Sequence, residues 1–297
     1  LPVKILKIED GNAFVLERVM YTKRYTLSLD RDKCVGCELC ALACPKEAIK
    51  IVNPSEFVDI ENPPKKITVT VLSDKCNFCG ICSEICIFGA FKQSVNGEEF
   101  IPVLESESFP RVIHEIEVDE SKCPVGCKVC EEACPLSLIK VRWDDKLEGK
   151  VSVEVDKDHC PVCRICEVKC PYNAIHARKI ISGLIRVNVN VCPEGCRACV
   201  DACPIPNVLF ISSDGKVNFN DSFCVYCGAC KNVCPVEGAI DLKRISVHHT
   251  PVKSGAWNKA LERLTSTENM AKELRSKSIF KTYESVKRLH TWSRANK

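Results

Sequence analysis

The sequence predicts an α+β chain: three tandem two-quartet units of short strands and short helices, followed by a C-terminal helical extension. Three observations lead there. The run Cys34-Val-Gly-Cys37-Glu-Leu-Cys40-Ala-Leu-Ala-Cys44-Pro45 returns five more times before residue 235, so that six quartets use all 24 cysteines. Apolar residues alternate just ahead of each quartet, which is the period of a strand with one buried face. After residue 250 the cysteines stop and apolar residues recur at helical spacing.

The later quartets begin at Cys76, Cys160 and Cys224 with the same C-x2-C-x2-C-x3-C spacing, and at Cys123 and Cys192 with one residue more in the first gap. That insertion in the third and fifth quartets supports a period of two quartets, and a chain of 297 residues suits about two or three domains. Seven and five positions before the first cysteine stand Leu27 and Leu29, Val69 and Val71, Ile116 and Val118, Val153 and Val155, Ile185 and Val187, and Val217 and Phe219. Five positions after the fourth cysteine an apolar residue returns at Ile49, Phe91, Ile139, Ile175 and Val208, with Ile240 displaced by one. Each repeat is therefore expected as strand, cysteine loop, short helical turn and strand. Proline follows the fourth cysteine at positions 45, 135, 171, 204 and 235, while the second quartet ends Cys86-Ile87. Proline suits the first turn of a helix, so a helix is expected to start there with its positive end toward the thiolates.

The flanks differ from the repeats. Lys4 to Ile8, the Asp10-Gly11 turn signal and the return through Phe14, Val15 and Leu16 predict an N-terminal hairpin over residues 1–24. The units are expected at 25–105, 106–182 and 183–250, with a basic helical tail at 251–297. In that tail Trp257, Ala260, Leu261 and Leu264 share one helical face. Thr265-Ser-Thr-Glu268 reads as a capping box for a second helix through Met270 and Leu274, and Phe280, Tyr283, Val286 and Leu289 form a further stripe. These helices need a surface to pack on, either the cysteine-bearing body or a neighbouring subunit. The longest gap between quartets, Cys86 to Cys123, carries Glu98, Glu99, Glu105 and Glu107; it reads as a solvated loop, with partner docking as the alternative.

Composition narrows the setting. With 6% aromatic residues, units of about 70 residues have marginal apolar cores, so an inorganic cross-link is expected. The first twenty residues carry Lys, Glu and Asp where a signal peptide needs an apolar run, so a reducing, cytoplasmic setting is expected rather than disulfides. No stretch has the length of a membrane span; the most apolar one, Lys179 to Ile185, is far too short. The net charge of +3 is uneven: residues 251–297 hold eleven Lys/Arg against four Glu, which leaves residues 1–250 at −4.

Four cysteines within eleven or twelve residues suit a [4Fe–4S] cube, because three closely spaced thiolates reach three corners and a more distant one supplies the fourth. Zinc also takes four thiolates, but commonly as two separated Cys-x-x-Cys pairs. A zinc array, structural or nucleic-acid-binding, is the competing class; it predicts zinc on metal analysis and no visible absorption. No phosphate loop, dinucleotide fingerprint or catalytic constellation accompanies the quartets, so no catalytic residue and no nucleic-acid partner is expected. His159, beside Cys160, reads as a loop histidine, and His248-His249 as packing residues.

Residues 25–245 resemble the bacterial-type ferredoxins, and a tandem array of this kind resembles a polyferredoxin. In two-cluster ferredoxins the fourth cysteine of each run ligates the other cluster. The resemblance therefore implies six [4Fe–4S] clusters. With quartets paired in sequence, the ligand sets are Cys34, Cys37, Cys40 with Cys86; Cys76, Cys79, Cys82 with Cys44; Cys123, Cys127, Cys130 with Cys170; Cys160, Cys163, Cys166 with Cys134; Cys192, Cys196, Cys199 with Cys234; and Cys224, Cys227, Cys230 with Cys203. A nested arrangement, with the first and sixth quartets closing around the others, is also open. The Cys-Pro-x-Gly-Cys variants, Phe109-Pro-Arg-Val-Ile-His114 and the Trp257 helix resemble the polyferredoxin subunits of formylmethanofuran dehydrogenase in methanogenic archaea. That likeness implies a non-catalytic electron conductor to or within such a complex, with hydrogenase or heterodisulfide reductase subunits as alternative partners. It also implies a further pair of quartets beyond these residues, so the chain, starting at Leu1, reads as part of a longer protein.

Overall fold

Alternation sets the strands. The computed structural model describes residues 4–10, 12–52, 68–144, 150–193, 195–213 and 215–265. Three strands, β1 (Lys4–Asp10), β2 (Ala13–Val19) and β3 (Arg24–Asp30), lead into the first quartet and its helix α1 (Leu39–Ala43). Next come β4 (Ile49–Val52), β5 (Thr68–Val71) and, after the second quartet's helix α2 (Ile81–Glu84), β6 (Phe91–Val95), β7 (Glu98–Glu99) and α3 (Pro102–Glu105). The hairpin β1–β2 joins β3, and β3 joins β6, giving a sheet of order β1-β2-β3-β6-β7. Phe14, Leu16, Leu27 and Leu29 fill its inner face at 0–1% exposed, each contributing about 1.5–3 kcal/mol. The N-terminal hairpin thus lengthens the sheet of the first unit.

The same plan follows twice more. β8 (Glu115–Val118), α4 (Val129–Ala133), β9 (Ile139–Asp144), β10 (Lys150–Val155), α5 (Ile165–Lys169) and β11 (Ile175–Arg178) surround the third and fourth quartets. β12 (Ile181–Val187), α6 (Ala198–Asp201), β13 (Leu209–Ile211), β14 (Val217–Phe219), α7 (Ala229–Val233) and β15 (Ile240–Val247) surround the fifth and sixth. A boundary between residues 182 and 183 would cut β12.

The register links quartets two by two. Leu29 faces Phe91 and Ile49 faces Val71; Val118 faces Ile175 and Ile139 faces Val155; Val187 faces Ile240 and Leu209 faces Phe219. In each pairing the apolar residue five before one quartet meets the apolar residue just after its neighbour. This corrects one assignment. The residue equivalent to Ile49 in the fifth repeat is Leu209, not Val208, because the turn after Cys203 holds one extra residue, as does the turn after Cys234. Its left-handed residue comes fourth after the cysteine (Asn207, Gly238) instead of third (Glu47, Gly89, Ser137, Asn173).

A second correction concerns the prolines. Helices α1, α4, α5 and α7 run up to the fourth cysteine and stop there, and the proline lies beyond the stop. Cys44, Cys134, Cys170 and Cys234 are extended, with ψ between 111° and 122°. Proline's ring disfavours helical backbone in the residue before it, so it ends these helices instead of starting new ones.

The tail starts with α8 (Gly255–Leu264), capped by Ser254, whose hydroxyl accepts from Ala256 N–H at 3.1 Å. Trp257, Ala260, Leu261 and Leu264 are buried, and α8 packs against α1, so the expected stripe rests on the body of the chain. Trp257 meets Phe109 edge-on at 5.0 Å and His249 at 4.6 Å. Around it, the segment once read as a solvated loop is structured: Val112 bridges to His249, and Ile113 N–H donates to His248. The capping box beyond Thr265 and the stripe from Phe280 to Leu289 lie outside the described residues.

Candidate metal centres

The cysteine loops are built by left-handed backbone. In the four quartets with the shorter first gap, the residues on both sides of the second cysteine have positive φ: Gly36 and Glu38, Phe78 and Gly80, Val162 and Arg164, Tyr226 and Gly228. Val162 is a β-branched residue at φ 54° and 1% exposed, a conformation that costs about 1–3 kcal/mol and persists where the surroundings impose it. The curl turns three thiols toward one centre. In the two longer quartets a single glycine, Gly126 or Gly195, makes the turn.

In three cavities a thiol of the neighbouring run joins the three of one quartet. One cavity is lined by Cys76, Cys79 and Cys82 together with Cys44, a second by Cys224, Cys227 and Cys230 with Cys203, and a third by Cys192, Cys196 and Cys199 with Cys234. At the other three quartets the neighbouring charges include a cysteine of the adjacent run, although Cys227 acts on Cys37 more strongly than Cys86 does. Cys86 acts on Cys37 and Cys40, Cys170 on Cys123, and Cys134 on Cys160, Cys163 and Cys166. Backbone N–H groups point at the fourth sulfurs: Ala48 to Cys44 at 3.4 Å, Ala90 to Cys86 at 3.2 Å, Leu138 to Cys134 at 3.3 Å and Ala174 to Cys170 at 3.4 Å.

These cages suit a polynuclear cation. Burial, reinforced by neighbouring thiolates, pushes Cys160 and Cys224 up to about 11 and Cys166 and Cys203 up to about 12. Thiols so placed stay protonated at neutral pH unless metal takes the proton's place. Four thiols gathered from two short runs match the ligand set of a four-iron cube, whereas a structural zinc site commonly uses two separated Cys-x-x-Cys pairs.

The centres differ in cover. Cys34, Cys37, Cys40, Cys160, Cys163, Cys166, Cys224, Cys227 and Cys230 are all buried, whereas Cys123, Cys127, Cys192 and Cys196 are partly exposed. Two elements outside the repeats converge on one cage: Arg18 of β2 donates to the Cys76 carbonyl at 2.7 Å and stacks on Phe78, and Arg263 of α8 donates to the Cys44 carbonyl at 3.2 Å. Sequence reasoning missed both. A signal for Arg18 was present, since it shares the parity of Phe14 and Leu16 along β2. His159 bonds Asp156 through Nδ1 at 2.7 Å and packs over Gly89 as a loop residue; His248 stands 3.5 Å from Glu115.

Curled four-thiol cages on paired strands define an iron–sulfur electron-transfer protein of the ferredoxin class, holding several [4Fe–4S] clusters. The family model described as 4Fe-4S dicluster domain matches residues 20–90 and 189–238. The chain is 33% identical over 72 residues to Ferredoxin-3 of a Nostoc species, covering 22% of this chain and 74% of that protein. It is 35% identical over 78 residues to an uncharacterized polyferredoxin-like protein of Methanocaldococcus jannaschii, covering 24% of this chain and 46% of that protein. A chain in the formate dehydrogenase, heterodisulfide reductase and formylmethanofuran dehydrogenase complex of Methanospirillum hungatei superposes with a TM-score of 0.77 at 31% identity, covering 88% of this chain and 91% of that one. The chain belongs to the 4Fe-4S dicluster ferredoxins. Two further curated relatives are longer proteins, of which it spans 37% and 44%. Among the described residues no helix is long and apolar enough to cross a membrane.

Proposed function

We propose that this chain is a polyferredoxin that conducts low-potential electrons through six [4Fe–4S] clusters to or within a formylmethanofuran dehydrogenase complex of a methanogenic archaeon. One observation carries the reading: the likeness to a chain of the Methanospirillum complex extends over 88% of the residues here, far beyond a single dicluster domain. Two clusters belong to each of three domains, the expected boundary at 182/183 moving back so that the second ends at residue 180 and the third starts at Ile181, which keeps β12 whole. Each domain exchanges its fourth cysteines: Cys86 and Cys44 in the first, Cys170 and Cys134 in the second, Cys234 and Cys203 in the third. The three cavities lined by such crossed sets and the two-by-two strand register support this frame over the nested one.

The chain is a conductor, not an enzyme. Its residues hold each cube, bury it and direct N–H groups at its sulfurs, the means by which a protein sets cluster potential. Its partners are then the other subunits of the complex. Heterodisulfide reductase subunits are the second reading, because the same Methanospirillum assembly contains them; a hydrogenase partner is the third. Anaerobically purified chain is expected to hold about 24 iron and 24 acid-labile sulfide, four of each per quartet. Tagged chain expressed in a methanogen should co-purify with formylmethanofuran dehydrogenase subunits. Zinc in place of iron would end the electron-transfer reading, and co-purification with hydrogenase alone would end the assignment to this complex.

Exposure predicts an order of loss. The clusters on Cys123, Cys127 and Cys130 and on Cys192, Cys196 and Cys199 should be stripped several-fold faster than the rest by a ferrous chelator. Time-resolved alkylation and mass spectrometry of the cysteines would follow it; equal rates at all six quartets would contradict the prediction.

A further inference from the structure

Arg244 is 6% exposed, although arginine is rarely buried without a partner. It lies on the inward face of β15 with Ile240 and Leu242, opposite Gly183, where the register of β12 shifts in a bulge. Its Nε donates to the Tyr226 carbonyl at 2.9 Å and its Nη2 to the Cys227 carbonyl at 2.5 Å; among the described residues no carboxylate pairs with it. Gly228, at φ 98°, makes room for it, since a β-carbon there would stand 2.6 Å from Nη2. A buried unpaired cation is costly unless negative charge lies close. Here that charge is the sixth quartet, where Arg244 favours the Cys227 thiolate.

Lys179 reaches the same quartet from another side. Its Nζ donates to the Asp221 carbonyl at 2.9 Å and lies 5.1 Å from the centre of the Tyr226 ring. Both partners flank Cys224 in the sixth quartet's loop. The charges that act most on Cys37 and Cys40, in contrast, are those of other cysteines. The sixth quartet also adjoins the first: Asn232 Nδ2 donates to the Gly36 carbonyl at 2.8 Å, and a β-carbon on Gly228 would stand 3.5 Å from the Cys37 carbonyl.

We propose that the cluster on Cys203, Cys224, Cys227 and Cys230, which adjoins the first quartet, has its potential raised by two cations fixed beside its loop and so collects electrons. Arg244 is the buried tuning residue, and Lys179 adds a second cation beside the same loop. This rests on the six-cluster reading above. An electron leaving a neighbouring cube makes that cube one unit less negative and the receiving cube one unit more negative, and no bond or proton moves. Cations fixed in a low-dielectric site stabilise the more negative state, so electrons from the neighbouring cluster collect there.

The test is an anaerobic redox titration of the full chain, followed by electron paramagnetic resonance, with iron and sulfide measured on every sample. Arg244→Gln should leave one cluster about tenfold less reduced at its wild-type midpoint, which is about 59 mV for a one-electron couple. Lys179→Met should move the same cluster in the same direction, and Lys179→Arg should restore it. At full iron content, unchanged midpoints in Arg244→Gln and Lys179→Met would overturn the proposal, as would an equal shift of all clusters. Should Arg244→Gln lose iron, Lys179→Met decides alone: one cluster shifted supports the proposal, and none or all shifted overturns it. A wild-type chain without six clusters fails the underlying reading instead.

Discussion

Stripping iron from the anaerobic chain is expected to abolish most of its ordered structure, seen as loss of the circular dichroism of strand and helix. The cysteine-bearing helices are four or five residues long, far below the length at which a helix persists in water. Among the described residues five of the six sheets have only two strands, four of them around the third to sixth quartets, and an isolated two-stranded sheet is marginal at best. The second unit is poorest: its own apolar cluster amounts to Ile116, Ile139, Val141, Val151 and Ile175 with Cys130 and Cys166. Metal binding is therefore folding free energy, of the order of 10–16 kcal/mol for a structural zinc site and comparable in kind here. The second unit should melt first and the first unit last, because the five-stranded sheet and α8 stand behind it. Acid should speed the loss. Iron holds thiolates, and reprotonation competes with it as pH falls. In the iron-free chain the sign reverses: thiol pKa values raised to about 11 or 12 mean that residual structure is fully stabilised below the unfolded thiol value and loses that stabilisation as pH rises from there through about 11 to 12. Native-like dichroism in the iron-free chain would show that the apolar core alone suffices.

Cys44→Ala is expected to destroy the cluster on Cys76, Cys79 and Cys82 while sparing the one on Cys34, Cys37 and Cys40, its own neighbours in sequence. Iron should fall from about 24 to about 20 per chain, a loss of one cube. Alkylation of the folded protein should then label Cys76, Cys79 and Cys82. Labelling of Cys34, Cys37 and Cys40 would mean that each run keeps its own fourth ligand, and labelling of Cys224, Cys227 and Cys230 would mean that the nested frame holds. Cys44 also lies where Arg263 anchors α8 to its carbonyl. That bond is to backbone and survives the substitution, so loss of the cluster can be read without loss of the tail.

What residues 25–245 determine by themselves is local. A quartet's spacing is a statement about twelve consecutive residues, and the flanking strands follow from a period of two, so cages and strands were legible from Cys34 to Ile240. Capture of the fourth cysteine could be expected only through likeness to ferredoxins, because gaps of similar length separate partners and non-partners alike. Smaller errors have local causes that spacing hides: one extra turn residue moved the strand start from Val208 to Leu209, and Pro45 ends a helix because it constrains the residue before it. The mutual placement of the quartets was decided only by tertiary structure. Asn232 meets Gly36 across 196 residues of sequence, Arg263 meets Cys44 across 219, and His159 settles on Gly89. Arg244 shows why no periodic signal could reveal this: alternation alone marks it as inward-facing, but the charge that makes burial tolerable comes from a thiolate on another loop, and such complementarity exists only once both are folded.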